Sequence, residues 1–420
     1  MAIAKSASIV IIFFALAHYA NAAMKARPPV GHDVFGDNNH AKDVALPGEK
    51  LVNVESFGAK GDGVTDSTTA FLSAWQATCH AEGQNRLYIP AGTFLVSSVT
   101  FEGPCLAPNP ITIQVVGTIL ADTDGSDYMS GDWLIFQKIN GLKIIGGGVF
   151  DGQGQLSWKF IEDCENSKVD CKRMPSSLFF AEVQNAIIAN IKSLNPKGFH
   201  VFVTKCSNIR LRKLKLIAPE TSPNTDGIHI SSSINVIVAR NTIATGDDCI
   251  SMIQGCENIF INRLKCGPGH GISIGSLGKV ADEREVKGIR IKNSALNGTT
   301  NGLRIKTWPE KYGGGASEIS FSNINMINVL NPIIIDQEYE CYPNCQKKPS
   351  LVRIADIHFA NVTGTTASPI AVDLRCSQQF PCMGVTIRNI DLKYQDAPST
   401  ARCVNVKPVY GGLLNPPACL

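Results

Sequence analysis

Past residue 180 one short pattern keeps returning: an apolar residue, any residue, a second apolar residue and often an asparagine, as in Gly288-Ile289-Arg290-Ile291-Lys292-Asn293. Its first apolar positions are Ala186, Ile209, Val236, Ile259, Ile289, Ile319, Ile357 and Val385, at steps of 23, 27, 23, 30, 30, 38 and 28 residues. Strict alternation within each piece predicts short strands with one face in a core. Unequal steps argue against a propeller or a helical array, whereas a parallel β-helix accepts loops of any length between strands. Asn190, Asn293, Asn323, Asn361 and Asn389 close several repeats, which predicts either an asparagine ladder up the stack or turn propensity alone.

An open solenoid end would expose backbone and core. Asp66 or Ser67 is placed to cap a helix carrying Phe71, Trp75 and Cys79 on one face, the expected end cap. The tail from Gly411 to Leu420 has no amphipathic helix, so loops and disulfides are expected to close the other end.

Residues 1–22 have the parts of a secretory signal: Lys5, an apolar run from Ile9 to Leu16, and Ala20 and Ala22 at a cleavage point. Residues 23–47 read as an extension and 48–420 as one β-helical catalytic domain. A secreted product, extracellular or in a cell wall, is therefore expected, without a membrane anchor because no later apolar run is long enough. Fourteen cysteines fit an oxidising route. Two sequons, Asn297-Gly298-Thr299 and Asn361-Val362-Thr363, fit it as well. The formal charge of +3 includes Lys5, which leaves a near-neutral mature chain unsuited to nucleic acid.

Four polar signatures lie between residues 224 and 306: Asn224-Thr225-Asp226, Gly246-Asp247-Asp248, Gly269-His270-Gly271 and Arg304-Ile305-Lys306. Asp226 precedes Asp247 by 21 residues and Asp248 precedes His270 by 22, about one coil each. Stacking then brings three carboxylates and a histidine together, and like charges so close raise at least one pKa. An acid beside an ionised carboxylate is what glycoside hydrolysis needs. Arg304 and Lys306 alternate on a strand and share a face, suited to neutralising the cluster or to binding the carboxylate of an acidic sugar. Metal ligation is disfavoured, since no two His or Cys residues flank these signatures at typical zinc spacing. A Cys249–Cys266 bridge would tie the two catalytic coils; Cys376–Cys382, Cys403–Cys419 and a small Cys164–Cys171 ring are local candidates.

These signatures, in order and spacing, resemble the polygalacturonase family of glycoside hydrolases. The resemblance runs from Phe57-Gly58-Ala59-Lys60-Gly61-Asp62-Gly63 to the Cys403–Cys419 region. It implies an all-β fold, a right-handed single-stranded parallel β-helix that hydrolyses α-1,4 bonds of de-esterified pectin with inversion, as a monomer and without metal or organic cofactor. Asp247 would be the general acid, with Asp248 as its alternative, Asp226 and Asp248 would hold the attacking water, and His270 would tune the acid. Asn224, Arg304 and Lys306 would bind galacturonate, together with Tyr339 from the run Pro332-Ile333-Ile334-Ile335-Asp336-Gln337-Glu338-Tyr339. Overall similarity is greatest to the plant exo-acting branch, which includes pollen enzymes. The rival readings are an endo-acting enzyme with the same site and a catalytically silent wall-binding β-helix.

Overall fold

The structure is a computed structural model that describes residues 48–106, 110–123, 131–166, 173–309, 312–340 and 348–419. The expected signal and extension, residues 1–47, lie outside the described residues, as does Cys171. Short strands wind into a right-handed parallel β-helix whose walls belong to one 11-stranded and one 22-stranded sheet. No helix among the described residues is long and apolar enough to cross a membrane.

Register follows the repeat. Ala186 stands beside Ile209, Ile209 beside Val236, and Val236 beside Ile259; Ile289, Ile319, Ile357 and Val385 continue the same row. All are buried, because every second residue of each strand points into the solenoid. Coils of 23 to 38 residues stack in this register since the extra length leaves the wall as loops.

The asparagine ladder exists in part. Asn293, Asn323, Asn361 and Asn389 each donate from Nδ2 to the Oδ1 of the asparagine one coil earlier, beginning at Asn262, at 2.9–3.0 Å. The four also hold left-handed φ values of 51–57°, so ladder and turn chemistry coincide. Asn190 shares that conformation but not the ladder. Continued register puts Lys213, Arg240 and Arg263 in its column, also left-handed, and these cannot relay an amide-to-amide bond. A second ladder, Asn140, Asn185, Asn208 and Asn235, marks another corner.

The leading end is closed by helix α1, Thr68–Cys79, with Phe71, Trp75 and Cys79 fully buried. Asp66, not Ser67, supplies the cap: its Oδ1 accepts the Thr68 N–H at 2.9 Å, whereas Ser67 makes no side-chain cap bond. Cys79 also bridges to Cys105, which spacing did not suggest. At the far end the expectation of loops needs correction. Residues Val409–Asn415 form a strand that pairs with Met383–Tyr394, and the bridge Cys403–Cys419 pins the segment. Cys249–Cys266 and Cys376–Cys382 are bridged as expected.

Asn323→Gly keeps the left-handed turn available but removes two ladder bonds. Each is worth about 1 kcal/mol, so a loss of about 1–2 kcal/mol is expected in urea unfolding. Asn323→Ala adds the steric cost of a left-handed alanine, about 1 kcal/mol more. A Gly variant as stable as the parent would mean that turn propensity alone matters there.

Candidate active site

Each signature sits at one corner of the solenoid, just before or within a strand of the 11-stranded sheet. Asn224-Thr225-Asp226 precedes Ile228–Ser231, Gly246-Asp247-Asp248 precedes Ile250–Met252, Gly269-His270-Gly271 precedes Ile272–Leu277, and Arg304 and Lys306 lie inside Asn301–Thr307. Backbone bonds carry the stacking through the corner: Gly227 N–H to Asp248 O at 2.9 Å, His270 N–H to Asp247 O at 2.8 Å, and Cys249 N–H to Gly271 O at 2.8 Å. Gly271 is required here. Its φ is +85°, and a Cβ there would run into the Asn301 carbonyl.

The three carboxylates have different surroundings. Asp248 is buried between Arg304 Nη2 at 2.7 Å on Oδ1 and Lys306 Nζ at 3.0 Å on Oδ2, and Ser273 Oγ donates to Oδ1 at 2.7 Å. Burial opposes its charge, but the guanidinium and the ammonium outweigh burial and hold the carboxyl at about 2. Asp226 is buried as well, and accepts from Ser251 Oγ at 2.5 Å. Burial first, then the neighbouring Asp247, pushes its carboxyl upward toward the protonated form. Asp247 is partly exposed and its Oδ1 lies 2.9 Å from His270 Nδ1. That hydrogen bond raises His270 above the ordinary imidazole value.

All eight residues expected from the sequence, Asn224, Asp226, Asp247, Asp248, His270, Arg304, Lys306 and Tyr339, line one cleft of about 600 Å³. Tyr339 lies beneath the cations, its ring centroid 4.9 Å from Lys306 Nζ and 5.9 Å from Arg304 Cζ. Three donors on the oxygens of Asp248, the alternative acid, favour its ionised form. Asp247, Asp248 and His270 also offer ligand atoms within 4.8 Å of one another. A cation bound there would compete with Arg304 and Lys306 for the same oxygens.

Comparison with known proteins identifies the family. A family model for glycosyl hydrolases family 28 matches residues 79–418. The chain belongs to that family. A protein described as polygalacturonase from Gossypium hirsutum is 46% identical over 368 residues, covering 87% of this chain and 89% of that protein. An exopolygalacturonase from Platanus acerifolia is 41% identical over 365 residues, covering 86% and 96%. Among solved structures, endo-xylogalacturonan hydrolase from Aspergillus tubingensis superposes with a TM-score of 0.74 at 25% identity, covering 86% of this chain and 99% of that one. This polygalacturonase-family hydrolase is therefore an enzyme with the fold of its relatives.

Sequence reading missed three residues that orient the carboxylates, His229, Ser251 and Ser273. His229, Ser251, Ser273 and Arg304 form one outward row across four strands. His229 Nδ1 lies 2.7 Å from Ser251 Oγ and 3.6 Å from Asp226 Oδ2, and its ring stacks on Phe199 at 4.5 Å. The available signal was their one-coil spacing, but serine and histidine at alternate strand positions are too common to single out.

Asp248 gives the family 28 hydrolase a defined acid sensitivity. Its folded value of about 2 lies below the unfolded ~3.9. Its contribution to stability is therefore complete above about pH 4 and is lost as pH falls through about 2. Asp248→Asn should lack this acid-dependent component and lose about 3–5 kcal/mol at pH 7, because two buried cations remain unpaired. Denaturant midpoints at pH 7 and pH 3 for both proteins check this.

Proposed function

We propose that this enzyme hydrolyses α-1,4-galacturonan by releasing single galacturonate units from the non-reducing end of de-esterified pectin. The observation that carries the hydrolytic reading is the divergence of the carboxylates: Asp248 is held ionised while Asp226 is pushed toward its acid form. In an inverting reaction Asp247, the partly exposed carboxyl, donates its proton to the glycosidic oxygen. Water between Asp226 and Asp248 attacks the anomeric carbon from the opposite face, and one of these carboxylates takes its proton. His270, bonded to Asp247, acts as a positioning residue for the acid. Asn224, Arg304, Lys306 and Tyr339 hold the uronate.

The upward shift of Asp226 favours a second assignment, with Asp226 as proton donor. Asp247→Asn separates them. With Asp247 as acid, kcat should fall at least ~100-fold in a folded protein; near-normal activity would transfer the role to Asp226. Protonated His270 is favoured to a higher pH than free imidazole, so the charged imidazolium that donates Nδ1–H to Asp247 Oδ1 is present at low pH and is lost as pH rises through the raised value. The alkaline limb of kcat/KM should therefore lie above ~6.5 and should disappear in His270→Gln.

Exo action draws support from the resemblance to the exo-acting plant branch and from relatives described as exopolygalacturonases. Secretion to the cell wall is inferred from residues 1–22 and action as a monomer from the self-contained cleft. Time-resolved product sizing on polygalacturonate with a chelator present tests the mode. Monomer from the first minutes, slowly falling viscosity and saturated products are expected. Early viscosity collapse with mixed oligomers would establish endo action, and unsaturated products made only with calcium would remove the hydrolytic reading.

A further inference from the structure

The charge inside the cleft is poorly matched to a polyanion if only the expected cations are counted. Arg304 and Lys306 both pair with Asp248, so the three groups carry one net positive charge. Asp226, Asp247, Glu283 and Glu340 line the same cleft. A chain bearing one carboxylate per sugar needs another cation to occupy it beyond a single unit.

Lys279 meets that need. It is exposed and lines the cleft, and among the described residues no carboxylate is paired with its ammonium. Its loop is held rigidly. Glu283 accepts the Gly278 N–H at 2.6 Å on Oε2, and the Lys279 and Val280 N–H groups at 2.8 and 3.1 Å on Oε1. Glu283 thus binds the backbone of the loop and not the Lys279 side chain. Gly278 turns the chain at φ +79°, where a Cβ would meet the Tyr312 carbonyl at 2.9 Å.

The Lys279 ammonium lies 5.3 Å from the Trp308 ring centroid. Trp308 meets Tyr339 edge-on at 5.4 Å, and Tyr339 underlies Arg304 and Lys306. Two aromatic rings therefore link and separate two cationic positions along one wall. An ammonium on an aromatic face keeps its charge available to solvent or ligand.

We propose that Lys279, on its Glu283-locked loop and backed by Trp308, binds the carboxylate of a second hexuronate unit next to the one held at Arg304 and Lys306. This rests on the polygalacturonate reading and adds a recognition site to it. The ligand class is an unesterified uronate, since a methyl ester at that unit removes the charge Lys279 recognises.

The test measures binding without turnover in the Asp247→Asn protein, by calorimetry with trigalacturonate and with monomeric galacturonate. Adding Lys279→Gln should raise the trigalacturonate Kd about 5-fold, the scale of one partly exposed ion pair. It should also weaken the salt dependence of that Kd, leave monomer binding unchanged and be reversed by Lys279→Arg. Equal trigalacturonate binding with and without Lys279, or an equal loss for the monomer, overturns the second site alone. Absence of binding by both proteins overturns it together with the polygalacturonate reading.

Discussion

Hydrogen bonding between successive parallel coils decides where every side chain in the cleft stands. A one-residue slip in any strand of the 11-stranded sheet would turn its outward side chains into the core. Arg304 would then leave Asp248, and His229 would leave Ser251. The buried row of Ile228, Ile250, Ile272, Leu303 and Ile333 prevents this, because each slipped strand would bring polar residues inside. The Cys249–Cys266 bridge fixes the same register covalently at the signatures themselves, joining the residue after Asp248 to the strand before His270.

Given that register, electrostatics divides chemically identical groups. Asp226 and Asp248 are both buried, and burial alone would neutralise both. Only Asp248 has a guanidinium and an ammonium against it, which come from a strand two coils further along. The same contacts tie Arg304 and Lys306 in place, so the groups expected to bind substrate also hold Asp248 ionised. Substitution at either cation should consequently disturb more than binding.

Much of this was legible in the sequence because β-helical spacing turns residue number into spatial position. Ala186, Ile209 and Val236 could be aligned from their intervals alone, and the same arithmetic brought Asp226, Asp247, Asp248 and His270 together. It failed where geometry depends on what fills a column. Asn190 has the right turn, but Lys213 above it breaks the ladder. Asp66 and Ser67 are equally good caps on paper, and only the approach of the chain selects Asp66. The final strand, Val409–Asn415, contains Gly411 and Gly412 and so resembles a loop. Lys279 is one of many lysines until Glu283 and Trp308 place it.

The cleft is also unequal along its length. Toward the amino-terminal coils the outward row passes from His229 to Phe202 and Phe179, an aromatic stretch with Arg173 over Phe202 at 5.3 Å. Toward the carboxyl-terminal coils it passes from Arg304 to Ile334, Asp373 and Arg402. There Arg375 contacts Asp336, Glu338 and Asp373, while Arg402 is held by Asp373. Three carboxylates against two guanidiniums give that flank no attraction for a polyanion. A galacturonan chain extending past Lys306 therefore gains little there, and favourable contacts concentrate on the few units between the carboxylates and Lys279. Such a gradient limits how many sugars bind tightly without any wall across the cleft. Chain-end preference then depends on loops whose lengths, unlike the strand spacing, are not constrained by the register.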